Sequence, residues 1–338
     1  MKKLLLLSLS LLLINCSSDD DSQENETPEI GKNTIFTYKG ERNSNGTNYV
    51  SKIVRIDQNN GNETDIANLE TGPSLHFDNF VYNKITNQIL GLEGDIYETY
   101  NNINRIFKIN VNDGTHSIVT LDNSGGISYN NLIIDNNNNI YAYKYSDRNG
   151  TYLPKIVRID QNNGNETDIA NFEIGLNFAS LLYNEGTNQI LGLESTFFGS
   201  GNSQNRLFEI NLNDGNYSIL NLQNSGGIFY EELIIDNNNN LYAFKGEYLL
   251  FSATNYMPRI VRIDQSNGNE IDIANFELSF YSNDTYLEDL VYNKGTKQVL
   301  GLLKSQNSLF KINVNDGTYS IVNLDNSEGI FYKELIIK

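Results

Sequence analysis

The chain has 338 residues, with 42 acidic against 24 basic side chains and a formal net charge of −18. So acidic a surface repels phosphate backbones and excludes nucleic acid as a partner class. A single cysteine excludes an internal disulfide, and with only two histidines present no Cys/His spacing suits zinc.

At the N-terminus Lys2 and Lys3 precede an apolar stretch, Leu4–Ile14, that is too short to span a bilayer comfortably. The sole cysteine, Cys16, follows at once. Leu13-Ile14-Asn15-Cys16 resembles a bacterial lipobox, in which the cysteine is lipidated and becomes the first mature residue. Ser17-Ser18-Asp19-Asp20-Asp21 resembles the acidic tract of Bacteroidota surface lipoproteins. The resemblance implies a signal peptide over 1–15, a lipid anchor at Cys16 and an outer-membrane, cell-surface location. Residues 16–33 then form an acidic, polar tether.

The remaining residues, 34–338, repeat. KIVRIDQNNGNETDIAN at Lys52–Asn68 returns unchanged at Lys155–Asn171, and an edited copy occupies Arg259–Asn275. Within it, Ile53, Val54 and Ile56 are separated from Ile66, Ala67 and Leu69 by Asn60-Gly61, a strong hairpin signal because both turn residues need positive φ. A weaker echo lies between the copies: Arg105–Leu121, Arg206–Leu222 and Ser308–Leu324, each with Asp-Gly at the turn. The chain therefore holds six units of about fifty residues.

Each unit predicts four short strands. In one of them, Leu132-Ile133-Ile134 is the first, Ile140–Lys144 the second, Ile156–Asp160 the third, and Asp168–Phe172 part of the fourth. Strands this short and dense imply an antiparallel all-β fold. The centre of every second strand is small: Thr37, Gly91, Ala142, Gly192, Ala243 and Gly301. Close approach of a neighbouring sheet near an axis accounts for this pattern. The fold expected is a six-bladed β-propeller, which leaves only short protected edges.

Ring closure is also legible. Ile35–Lys39 matches second strands, so the first blade lacks its first strand, and Leu335-Ile336-Ile337 supplies it. One C-terminal and three N-terminal strands complete the ring. The phrases LIIDNNNNIYAYK and KIVRIDQNNG resemble the blades of NHL and TolB-like six-bladed propellers. The likeness covers nearly everything after Lys32 and implies fold rather than activity.

Comparing the units with one another separates two ends of the ring. Connections between first and second strands, and the Asn-Gly and Asp-Gly hairpins, barely differ. Connections between second and third strands, and between blades, differ widely. Loops on a rigid scaffold commonly carry function. The variable loops supply candidate binding residues Tyr97, Tyr100, Phe197, Phe198, Tyr248, Phe280, Tyr281 and Tyr286, whose amphipathic rings suit protein or sugar contacts. A second set precedes each predicted first strand: Asn79, Asn131, Ser180, Glu232, Asp289 and Glu334. Placed around a channel mouth, the carboxylates with Asn79 and Asn131 could hold Ca²⁺ or another hard cation.

Three function classes follow. The first is a non-enzymatic binding module. The second is a metal-dependent hydrolase of lactonase type using the channel ring. The third is a structural subunit of an outer-membrane complex.

Overall fold

A computed structural model describes residues 34–42, 49–69, 77–93, 104–148, 151–195, 204–224, 227–247, 258–276, 287–303 and 306–338. Twenty-four strands form six antiparallel four-stranded sheets. Sheet 1 contains β1 (Ile35–Arg42), β2 (Tyr49–Ile56) and β3 (Glu63–Asn68). Sheet 2 is β4 (Phe77–Asn83), β5 (Gln88–Glu93), β6 (Arg105–Asn110) and β7 (His116–Thr120). Sheet 3 is β8 (Ile127–Ile134), β9 (Ile140–Arg148), β10 (Thr151–Ile159) and β11 (Glu166–Asn171). Sheet 4 is β12 (Phe178–Asn184), β13 (Gln189–Ser195), β14 (Asn205–Asn211) and β15 (Tyr217–Asn221). Sheet 5 is β16 (Ile228–Ile235), β17 (Leu241–Glu247), β18 (Arg259–Ile263) and β19 (Glu270–Asn275). Sheet 6 is β20 (Leu287–Asn293), β21 (Gln298–Leu303), β22 (Ser308–Asn313) and β23 (Tyr319–Asn323).

The last strand, β24 (Ile330–Ile337), returns to pair with β1, Ile35 opposite Ile337 and Phe36 opposite Ile336. The order β24-β1-β2-β3 is the closure that the sequence predicts. The inner strands β24, β4, β8, β12, β16 and β20 touch one another in cyclic order, which makes the six sheets the blades of a propeller.

Local chemistry explains the recurring turns. In DNNNN between β16 and β17, Asp236 Oδ1 accepts the N–H groups of Asn238 and Asn240 at 2.8 and 2.9 Å. Its Oδ2 accepts Asn240 Nδ2 at 2.8 Å and the Tyr242 hydroxyl at 3.0 Å. Asn239 takes φ 61°, which asparagine tolerates better than most residues. Asp135 organises the equivalent turn before β9 in the same way.

Blade interfaces alternate in character. Between sheets 3 and 4, Tyr143, Phe178, Phe172 and Phe208 pack edge to face. Phe276, Phe310 and Tyr319 gather near the boundary of sheets 5 and 6, and Tyr38, Phe77, Phe80 and Phe107 between sheets 1 and 2. The other three interfaces are mainly aliphatic, each with one buried tyrosine, with Leu90, Leu92, Leu132 and Val157 beside Tyr129 between sheets 2 and 3. Leu191, Leu207, Leu233 and Val261 do the same between sheets 4 and 5, and Val54, Leu300, Leu309 and Leu335 between sheets 6 and 1. The ring is thus three coupled pairs of blades, matching the threefold long repeat.

Three expectations need correction. Second and third strands run further than their apolar cores: β9 extends to Arg148 and β10 starts at Thr151, with these two residues paired. There the backbone ladder continues past the apolar run that marks each strand in the sequence. Two of the glycines at the centres of second strands, Gly91 and Gly192, are explained within their own blade. A Cβ on Gly91 would overlap the Phe80 ring on β4, and one on Gly192 the Phe178 ring on β12. Finally, Asn79, Asn131, Ser180, Glu232, Asp289 and Glu334 lie inside the inner strands, not ahead of them. Each sits at a register shift, and Asn131, Glu232, Asp289 and Glu334 have positive φ. These β-bulges let a strand continue through a polar residue that had looked like its boundary.

Candidate functional site

Antiparallel alternation fixes which connections share an end. Those joining β1 to β2, β5 to β6, β9 to β10, β13 to β14, β17 to β18 and β21 to β22 leave from one end, together with those between blades. The Asn-Gly and Asp-Gly hairpins, and the turns such as Asp135–Asn139, share the other. The loop aromatics Tyr97, Tyr100, Phe197, Phe198, Tyr248, Phe280, Tyr281 and Tyr286 lie outside the described residues, as does Cys16.

The bulge residues form a polar belt on the inner strands, and several of its bonds stitch neighbouring blades. Asn79 Oδ1 accepts the Leu132 N–H at 2.9 Å, Ser180 Oγ accepts the Leu233 N–H at 3.0 Å, and Asp289 Oδ2 accepts the Leu335 N–H. These bonds join sheets 2 to 3, 4 to 5 and 6 to 1. Asn79 Nδ2 also donates to Glu334 Oε2 at 3.4 Å. Among the described residues no group of three or more His, Cys, Asp or Glu side chains stands close enough to hold a metal ion.

The belt is thus brought together around the inner strands, with Asn131 and Glu232 at equivalent bulges. Asn79, Ser180 and Asp289 use their side chains to bond neighbouring blades.

Three further clusters escaped the sequence reading. Lys144 Nζ donates to Glu166 Oε2 at 2.7 Å and to Asp122 Oδ2 at 3.2 Å, over the Tyr129 ring, and the Tyr129 hydroxyl donates to Glu166. Lys245 repeats this with Glu270 at 2.5 Å, Gln223 at 2.6 Å and Tyr230. Lys39 does so with Glu63 at 2.7 Å, Asp325 at 3.3 Å and Tyr332. All three lysines and all three tyrosines are buried. Burial first, then the adjacent Glu, pushes each tyrosine well above the ordinary range. Burial alone would lower Lys39, but Glu63 and Asp325 outweigh it and hold its ammonium above the ordinary range. The signal was present as a Lys ending the apolar run of every second unit. Its partners lie too far off in sequence to be assigned.

At the hairpin end, Lys84 Nζ reaches Glu185 Oε1 at 2.9 Å, and Lys294 Nζ lies 3.5 Å from Glu185 Oε2. These residues stand in the equivalent turns of sheets 2, 4 and 6, so the bridge links three alternate blades. Burial works to raise the Glu185 carboxyl, but the two ammonium groups outweigh it and hold it below the usual glutamate range. A groove of about 670 Å³ opens at the same end between sheets 2 and 3, lined by Lys108, Arg158, Asn138, Gln161 and Asn162.

No family model and no curated protein matches the chain. Solved structures do. A nidogen/laminin complex contains a chain that superposes with a TM-score of 0.62 at 10% identity, covering 90% of this chain and 98% of that one. A candidate 6-phosphogluconolactonase of Bacteroides fragilis matches at 0.54 and 12% identity, covering 90% and 97%. Another from Bacteroides uniformis matches at 0.53 and 8% identity, covering 89% and 100%. At such identities the likeness concerns the fold: this chain is similar to these proteins as a six-bladed β-propeller.

Proposed function

We propose that the protein is a lipid-anchored surface module that binds a protein or glycan through the variable end of its ring. One observation carries this reading. The topology sends every strongly divergent connection to one end, while the near-identical hairpins share the other. Repeated units diverge where a common scaffold no longer constrains them, and recognition is concentrated on such loops. Within those loops Tyr and Phe abound, the residues that anchor interfaces when desolvated. The nidogen/laminin structure, a complex, is consistent with such a use of the fold. The belt residues need no catalytic role to explain their place, because three of them hold neighbouring blades together.

Anchoring is proposed from the sole cysteine after the apolar stretch and from Asp19–Asp21. Cys16→Ala should leave the protein soluble, and protease applied to intact cells should digest the wild type. A wild-type protein that stays protected contradicts surface display. Binding is tested by affinity capture from solubilised outer membranes and by a glycan array. Each is run with wild type and with Tyr97, Phe198, Tyr248 and Tyr281 replaced together by Ser. Loss of binding with unchanged melting supports the reading, and retained binding overturns it.

A further inference from the structure

The threefold repeat places three equivalent grooves at the hairpin end, one within each coupled pair of blades. Their framework is shared. Within sheet 3 Gln161 Nε2 donates to Asn138 O at 2.5 Å, and within sheet 5 Gln265 Nε2 donates to Asn239 O at 2.9 Å. Lys108 Nζ donates to Gln161 O at 3.1 Å, and Lys311 Nζ to Gln58 O at 2.9 Å between sheets 6 and 1. Their chemistry is not shared. The groove between sheets 2 and 3 has Lys108 and Arg158 as its cations and Asp160 as its single carboxylate among the lining residues. In the groove between sheets 4 and 5, Glu209 stands where Lys108 would be. In the groove between sheets 6 and 1, the turn that supplies Asn138 is replaced by the junction of β24 and β1, where the Lys338 N–H meets Thr34 O at 3.0 Å. The boundary of sheets 6 and 1 keeps both cations, as Lys311 and Arg55, but Arg55 Nη2 donates to Thr64 Oγ1 at 3.4 Å, and among the described residues no turn there corresponds to Asp135–Asn139.

Its Arg158 guanidinium is exposed and makes no hydrogen bond or ion pair with another described residue. Asp160 Oδ1 accepts the Asn162 N–H at 2.9 Å, and Asp135 is bonded within its own turn. Lys108 uses one of its three N–H groups on Gln161 O. The rest of the wall is mostly amide and hydroxyl, from Asn138, Gln161, Asn162 and Thr167. A volume of about 670 Å³ also falls within the range of small-ligand pockets, about 300–1,000 Å³.

We infer that this groove binds an acidic sugar. The carboxylate of a uronate or the sulfate of an ester is held between Arg158 and Lys108, and the sugar hydroxyls are held by the surrounding amides. Planar guanidinium suits either oxyanion, and charge-assisted bonds are the strong ones. This site lies at the opposite end of the ring from the proposed binding loops and does not depend on them.

The test is isothermal titration of the full-length protein with digalacturonate, a sulfated disaccharide, a neutral disaccharide and inorganic sulfate. The expected result is one site for at least one of the acidic sugars, favoured about tenfold or more over the neutral sugar and over free sulfate. Whichever acidic sugar binds better identifies the anion. Binding should weaken as salt rises. Arg158→Gln should lower affinity about tenfold with melting unchanged, and Lys108→Glu should lower it about tenfold as well. Glu209→Lys should raise the stoichiometry from one site to two, because it restores the missing cation to a groove whose wall is intact. The proposal is overturned by equal affinity for the neutral sugar or for free sulfate, by no binding to either acidic sugar, by an Arg158→Gln protein that binds as wild type, or by a stoichiometry that Glu209→Lys leaves at one.

Discussion

The Ser180 hydroxyl oxygen accepts the Leu233 N–H at 3.0 Å across the boundary between two blades, with both residues buried. Asn79 does the same for Leu132, and Asp289 for Leu335. Three residues of the belt, two of them the candidate cation ligands Asn79 and Asp289, therefore join neighbouring blades of the ring.

Removing the hydroxyl should expose that role. Ser180→Ala leaves a buried N–H without its acceptor, which costs about 1–3 kcal/mol. Urea denaturation should show the midpoint falling without a change in slope. A midpoint equal to wild type would mean the bond adds nothing to blade pairing.

The Lys–Glu–Tyr clusters make a sharper claim. Glu270→Gln or Lys245→Met alone strands a buried charge and should destabilise by about 3–5 kcal/mol, whereas Lys245→Met combined with Glu270→Leu should recover most of the loss. A double-mutant cycle measures this. If the single and double replacements cost the same, the pair is not coupled.

Ring closure by β24 can be weighed from burial. Deleting Leu335–Lys338 removes Leu335 and Ile336, both buried, and bares the edge of β1. Two buried aliphatics are worth roughly 3–6 kcal/mol, a large share of the about 5–15 kcal/mol that holds a domain together. The truncated protein should aggregate or melt far below wild type, and unchanged melting would contradict the closure.

Acid should act on the carboxylates that the fold holds below their ordinary values. In Asp122 and Asp325 the adjacent serine hydroxyl is the main cause. In Asp236 and Glu185 burial opposes the shift and is outweighed by hydrogen bonds and by nearby lysines respectively. A lowered native value means stability that is fully present above the unfolded values near 3.8 and 4.5 and is lost as pH falls through the native ones. Melting temperature should hold at mildly acidic pH and fall below about pH 4. A melting temperature that rises on acidification through that window would reverse the sign.

Most of the fold was legible because each device has a local signature. Asn60-Gly61 marks a hairpin, Asp236 with four asparagines marks a turn, and Leu335-Ile336-Ile337 repeats the missing first strand. The bulges were not legible: Glu232 reads as a strand boundary, and only the register shift beside it shows that β16 runs through. The buried clusters were missed for a different reason. Lys144 on β9 and Asp122 on the connection from β7 to β8 stand 22 residues apart, and no local pattern pairs residues across such a gap.

The central claim is that the variable end is the working face. Its most direct test is photo-crosslinking in intact cells, with a photoreactive residue placed singly at Phe198 or Tyr248, and at Asn60 or Asn267 on the hairpin end. The account predicts a partner adduct from Phe198 and Tyr248 and none from Asn60 or Asn267. Adducts from Asn60 and Asn267 alone would contradict it and move the working face to the other end of the ring.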